Sequence, residues 1–212
     1  FISDLNKNVL LLKFSQKNRD DESIIISDYL EKLDYNITEL PNRKNIFAEG
    51  GEFYYCRKDK ILFSGIKRNS IRGAEEVASF LNVNELILIK TEAFHLDTVF
   101  TTIMDQHGKL CAIIVCKDLI FKESFDLLNQ FSKSNGIEII SIPPIDSIGL
   151  KNNIGSLAVN NFSAPGLLIS SSKFSEPSVA KYLNTKNIKI ETSPVSQFQL
   201  SGGSIHCLTN EL

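Results

Sequence analysis

The chain predicts an α/β fold in which one strand-strand-helix-strand unit recurs and closes into a ring with five-fold pseudo-symmetry. Three observations carry that prediction: the recurring order of elements, a period of roughly fifty residues, and polar residues gathered at one repeated place in each unit. A chain of 212 residues with 42% hydrophobic content is long enough to bury a substantial core as one domain.

The first unit has a strand at Val9–Phe14, an amphipathic helix over about 21–33, and a strand at Asn36–Leu40. The second opens with Phe53-Tyr54-Tyr55-Cys56, turns at Lys58-Asp59 and returns through Ile61-Leu62-Phe63-Ser64. A helix over about 71–81 and the strand 85–90 complete it. The third runs from Thr98 to Met104, turns at Gln106-His107-Gly108 and returns through Leu110 to Cys116; a helix over about 121–134 and the strand 137–142 follow. The fourth places strands at 156–160 and 166–170, a helix opened by Glu176-Pro177 and a strand at 188–191. Proline just inside a helix start sits where its missing N–H costs nothing. A fifth unit begins at Gly202-Gly203 with a strand at 205–208. The first unit enters with its opening strand already under way at Phe1-Ile2-Ser3-Asp4, and an unpaired strand edge is a liability. The sequence therefore reads as a single domain over 1–212 with an N-terminal part missing.

Charge and composition exclude several classes. The formal net charge is −2 and the basic residues are scattered, which argues against a nucleic-acid partner. No apolar run approaches the roughly 18 residues of a membrane span. Of the four cysteines, Cys56, Cys111 and Cys116 lie in strand-like runs and read as small buried hydrophobes in a reducing, cytoplasmic setting. No metal-ligand spacing is present and no cofactor is expected.

The chemistry collects at or just before the first strand of successive units: Asp4, Glu49, the His95/Asp97 pair, the Asn152-Asn153 pair and Cys207. In a pseudo-symmetric ring equivalent positions converge on the axis, so these residues face one pocket. Cysteine, histidine and carboxylate are the parts of an activated nucleophile. His206 beside Cys207 is set aside as base, because neighbours on a strand point to opposite faces. His107 sits in a hairpin turn and is expected to face solvent.

Three motifs in this order, Glu49-Gly50-Gly51, Phe94-His95-Leu96-Asp97-Thr98 and Gly202-Gly203-Ser204-Ile205-His206-Cys207-Leu208-Thr209, resemble those of the guanidino-modifying penteins. These are α/β propellers that include dimethylarginine dimethylaminohydrolases, arginine and agmatine deiminases, and amidinotransferases. The stretch 64–75, with Arg72-Gly73-Ala74-Glu75 opening a helix, is most similar to the dimethylaminohydrolase branch. The resemblance covers essentially the whole chain. It implies that Cys207 attacks the guanidinium carbon, His95 transfers protons and Glu49 orients His95. It further implies that Asp4 and Asp97 anchor the guanidinium and that Arg68 binds the substrate carboxylate. Glu52 departs from the aspartate many relatives carry there. The expected partner is a small guanidino substrate, arginine or a methylated arginine, hydrolysed to citrulline, with a homodimer as a permitted assembly. The rivals are amidino transfer to an acceptor amine and a non-catalytic binding module of the same fold, which has no reason to keep nucleophile, histidine and acid together.

Overall fold

The computed structural model describes residues 1–4, 6–16, 19–41, 43, 45–150 and 153–212. It holds four three-stranded sheets of one design, in which an antiparallel pair is followed by a helix and a parallel third strand. The first unit comprises β1 (Ile2–Ser3), β2 (Asn8–Leu11), α1 (Asp20–Glu31) and β3 (Asn36–Glu39). The second comprises β4 (Phe53–Cys56), β5 (Ile61–Gly65), α2 (Ile71–Phe80) and β6 (Glu85–Ile89). The third comprises β7 (Phe100–Met104), β8 (Leu110–Val115), α3 (Lys122–Asn135) and β9 (Glu138–Ser141). A small hairpin, β10 (Gly149–Leu150) and β11 (Asn153–Ile154), precedes the fourth unit of β12 (Phe162–Ala164), β13 (Leu167–Ser170), α4 (Pro177–Thr185) and β14 (Lys189–Thr192). Two short helices end the chain, α5 (Ser196–Leu200) and α6 (Ile205–Leu208). Among the described residues no sheet closes on itself.

A parallel neighbour needs a crossover, and a helix supplies it while covering one face of the sheet. The middle strands are accordingly apolar runs; all of β5 is buried, and in β8 only Cys111 is partly exposed. Phe63 of β5 packs on Phe100 of β7 at 5.2 Å and edge-on to Phe131 of α3 at 5.5 Å, joining the second and third units. α2 starts where Ser70 Oγ accepts the Gly73 N–H at 3.0 Å, and α3 stops at Gly136, whose φ of 66° favours glycine. Cys56 and Cys116 are buried and Cys111 half-buried, and all are free thiols. His107 is exposed. No helix among the described residues is long and apolar enough to cross a membrane.

The expected strands at 156–160 and 205–208 are not strands. Residues 157–161 form a loop entered through Leu157 at φ 51°, and the opening strand of the fourth unit is β12. Residues 205–208 form α6, because Gly202 at φ 84° turns the chain and Ser204 enters in an extended conformation. The third unit's strand begins at Phe100 rather than Thr98, since Leu96–Thr98 is a 3-10 turn. Asn152 lies outside the described residues, while Asn153 pairs with Leu150 in the exposed hairpin.

Candidate active site

Two 3-10 turns, Gly50–Glu52 ahead of β4 and Leu96–Thr98 ahead of β7, bring the first polar groups together. Glu49 stands just before one turn and His95 just before the other, with Glu49 Oε2 2.9 Å from His95 Nε2. The approach is possible because residue 51 is glycine: a Cβ there would sit 2.8 Å from His95 Nδ1 and 3.0 Å from Asp97 Oδ2. Glu49 is 1% exposed, and its other oxygen accepts from Ser15 N at 3.0 Å and Ser15 Oγ at 2.7 Å. Burial alone would raise its pKa. The His95 and Ser15 hydrogen bonds, with the Arg68 charge, outweigh burial and hold it down at about 2. An ionised carboxylate only accepts, so His95 Nε2 carries the hydrogen and Nδ1 is the nitrogen left for proton transfer.

The second cluster forms around Asp97, which is fully buried. Its Oδ2 lies 3.3 Å from Cys207 Sγ and 3.0 Å from His206 Nδ1, while its Oδ1 has no hydrogen-bond partner among the described residues. Cys207 is exposed as a residue and faces a cleft. Its sulfur nonetheless sits against Asp97 and Asn160. That enclosure, and next the Asp97 charge, push the thiol up to about 12. The helical turn of α6, rather than a strand, lets His206 and Cys207 both reach Asp97, and His206 stacks on Tyr54 at 4.6 Å. The expectation that His206 faces away from the site is corrected accordingly.

Glu49, His95, Asp97, His206 and Cys207 all line one cleft of about 790 Å³. Asp4 and Arg68 are not among the residues that line it. The Asp4 carboxylate closes the β1–β2 turn, accepting from Asn6 N at 2.7 Å, Asn8 N at 3.0 Å and Asn8 Nδ2 at 2.8 Å. The Arg68 guanidinium lies over the Phe94 ring at 4.3 Å with Nε 3.6 Å from Glu49 Oε2, so it braces the acid of the pair.

Two further residues support the site: Glu52, singled out in the sequence only for standing where many relatives carry aspartate, and Asn160, which the sequence reading did not name as a site residue. Glu52, fully buried, accepts the Arg68 N–H at 2.7 Å and the Leu96 N–H at 2.8 Å, tying the Arg68 loop to the turn that carries Asp97. Burial raises its pKa despite those bonds. Asn160, also fully buried, donates to Cys207 Sγ at 3.2 Å. The repeat itself held the signal for Asn160, since it precedes β12 as Glu49 precedes β4 and His95 precedes β7.

Comparison with known proteins supplies the family. The chain is 25% identical over 209 residues to the bifunctional arginine dihydrolase/ornithine cyclodeaminase ArgZ of Synechocystis sp., covering 97% of this chain and 27% of that protein. It is 25% identical over 210 residues to AgrE of Nostoc sp., described by the same two activities, again covering 97% of this chain and 27% of that protein. The chain thus spans about a quarter of the length of the curated relatives it matches. The solved N-terminal domain of ArgZ, covalently bound to a reaction intermediate, superposes with a TM-score of 0.79 at 20% identity, covering 97% of this chain and 71% of that one. A dimethylarginine dimethylaminohydrolase adduct with 4-chloro-2-hydroxymethylpyridine gives 0.69 at 12% identity, covering 100% and 75%. The family model for eukaryotic N,N dimethylarginine dimethylhydrolase matches residues 1–212 from end to end, and the chain belongs to that family.

Proposed function

We propose that residues 1–212 form one propeller-type domain that hydrolyses the guanidino C–N bond of arginine or a methylated arginine through a covalent intermediate on Cys207. The observation that carries the reading is the joining of two pairs in one cleft: Cys207 Sγ 3.3 Å from Asp97 Oδ2, and His95 Nε2 2.9 Å from Glu49 Oε2. Family membership and the covalent intermediate in the ArgZ domain structure support it. The repeated location of Glu49, His95 and Asn160 ahead of successive sheets supports the five-fold propeller, with those positions turned to its axis.

A guanidinium carbon is a weak electrophile because its charge is spread over three nitrogens. Asp97 holds the guanidinium: its buried, unpartnered Oδ1 is an acceptor for one N–H and Oδ2 for a second. The bound cation cancels the carboxylate charge that, together with burial, keeps the thiol protonated, so the thiol passes its proton to His95 Nδ1 and the sulfur ionises beside the carbon it attacks. Sulfur bonds to the carbon, the C–N bond to the leaving amine breaks, and His95 Nδ1 delivers the proton that amine needs. Water then attacks the thiouronium carbon, gives its proton back to His95, and the C–S bond breaks to release the ureido product and the thiol. Glu49, ionised down to about pH 2, stabilises the His95 cation that appears in between. Arg68 acts on the reaction through Glu49, and the Asp4 carboxylate is engaged in the β1–β2 turn.

The test is a panel of arginine, dimethylarginine and agmatine, read as citrulline or the corresponding ureide, with mass spectrometry of trapped Cys207. The expected result is one ureido product and a mass adduct on Cys207. Transfer of labelled amidine to an added amine would mark an amidinotransferase instead, and full turnover by Cys207→Ser would refute the mechanism.

A further inference from the structure

We propose that Asn160 is a further catalytic residue, whose side-chain amide holds the Cys207 sulfur, stabilises it as thiolate and fixes it against Asp97. This rests on reading Cys207 as the nucleophile. Both ends of the buried amide are committed to the site. Nδ2 donates to Cys207 Sγ at 3.2 Å and to the Asp97 carbonyl at 3.1 Å, while Oδ1 accepts the Cys207 N–H at 3.3 Å. The Asn160 carbonyl also accepts the His206 N–H at 3.3 Å. One residue therefore binds the backbone of the turn that receives the guanidinium to both the backbone and the sulfur of the residue that attacks it.

The residue type follows from the charges around the sulfur. Asp97 opposes a thiolate at 3.3 Å. His206 is engaged on the same Asp97 oxygen and stacked on Tyr54, while His95 lies against Glu49 in the same cleft. A lysine or arginine at 160 would favour the thiolate but would also pair with Asp97 and occupy the carboxylate meant for substrate. A neutral amide offers two N–H donors with no net charge, so it stabilises sulfur and leaves Asp97 available. The acceptor on the same amide anchors the start of the Cys207 peptide unit, which sets where the sulfur points.

Asn160→Asp tests this because it keeps the shape and the acceptor for Cys207 N but replaces the donor on sulfur with a carboxylate oxygen. The primary readout is alkylation of Cys207 by iodoacetamide, followed as the mass of its peptide in the full chain without substrate. Between about pH 7 and pH 10 the variant should react about tenfold more slowly at each pH, as a one-unit rise in thiol pKa requires. Turnover of the preferred guanidino substrate should fall about a hundredfold, mainly in kcat. Asn160→Ala adds no charge; it should change both readouts in the same direction by less, and it carries the test if the aspartate variant does not fold. An alkylation profile unchanged in both variants overturns the proposal, even if turnover falls, because a purely structural clamp gives that pattern. Slower alkylation with no guanidino substrate turned over by the wild type would uphold the Asn160–sulfur contact and sink the proposed reaction instead.

Discussion

Replacing Gly51 with alanine probes the geometry of the site with one methyl group. Gly51 does not have a positive φ, so its backbone accepts an L side chain, and any effect comes from space. The added Cβ would lie 2.8 Å from His95 Nδ1, 3.1 Å from His95 Cγ and 3.0 Å from Asp97 Oδ2, where ordinary contact begins at 3.4 Å. The imidazole must therefore retreat by about 0.6 Å, against a Glu49 contact that is only 2.9 Å long. Displacing a reacting group by about 1 Å costs about a hundredfold in rate, so the loss should be between tenfold and a hundredfold, about 1.4 to 2.7 kcal/mol of barrier. Gly50→Ala is the matched control, since a Cβ there meets nothing within 4 Å. The assay is ureido product formation by both variants beside a thermal melt. Wild-type turnover in Gly51→Ala, or an equal loss in Gly50→Ala, would show that the His95–Asp97 geometry is not what the glycine protects.

Glu52→Gln leaves one acceptor and one donor facing the Arg68 and Leu96 N–H groups, so it should destabilise the chain by about 1 to 3 kcal/mol in a denaturant melt and lower turnover with it. The Glu49 carboxyl, ordinarily near 4.5 and held at about 2 in the fold, contributes stability that is complete above about pH 4.5 and is lost as pH falls toward 2. Glu49→Gln should flatten that acid limb of the stability profile measured by circular dichroism; an unchanged limb would assign it to other carboxylates. Asp97→Asn should move two readouts in opposite directions. KM for the guanidino substrate rises by tenfold or more, while Cys207 alkylation in the free protein becomes faster because the charge opposing the thiolate is gone. Slower alkylation in that variant would contradict the electrostatic account of the cysteine.

The second and third units are legible in the sequence because strands such as Ile61-Leu62-Phe63 and the run 110–115 are apolar enough, and their helices periodic enough, to be recognised locally. The fourth loses its phase. The inserted β10–β11 hairpin separates it from the third, and β12 is only three residues, too short to show alternation. The Asn-Asn pair sought at 152–153 as the repeat-equivalent position therefore belongs at 160–161. Ile205-His206-Cys207-Leu208 fails for a related reason: four residues contain one helical turn, and so short a segment with an aliphatic residue at each end reads equally well as a strand. That single misreading removed His206 from the site. Glu49, His95, Asp97 and Cys207 sit in short motifs and could be named from sequence. The Arg68 contacts to Glu49 and Phe94 depend on packing that no local pattern encodes, whereas the turn closed by Asp4 is local, its carboxylate accepting from N–H groups two and four residues on.

The placement of Asp97 ties reactivity to charge at each stage of the proposed reaction. Without substrate, burial of the sulfur and the carboxylate beside it keep Cys207 as a thiol, with its pKa at about 12, so a cysteine facing a cleft is protected from adventitious alkylation and oxidation. A guanidinium seated on Asp97 reverses that field at the sulfur, and a neutral analogue of the same shape does not; selectivity for cations is then built into the activation step as well as into binding. The positive charge persists through the thiouronium, which holds the intermediate on Asp97 while water attacks. It disappears only when the ureido product forms. Asp97 then faces a neutral group, its attraction for the ligand drops, and the thiol takes back its proton. The same carboxylate thus explains capture of the substrate, ionisation of the nucleophile and release of the product.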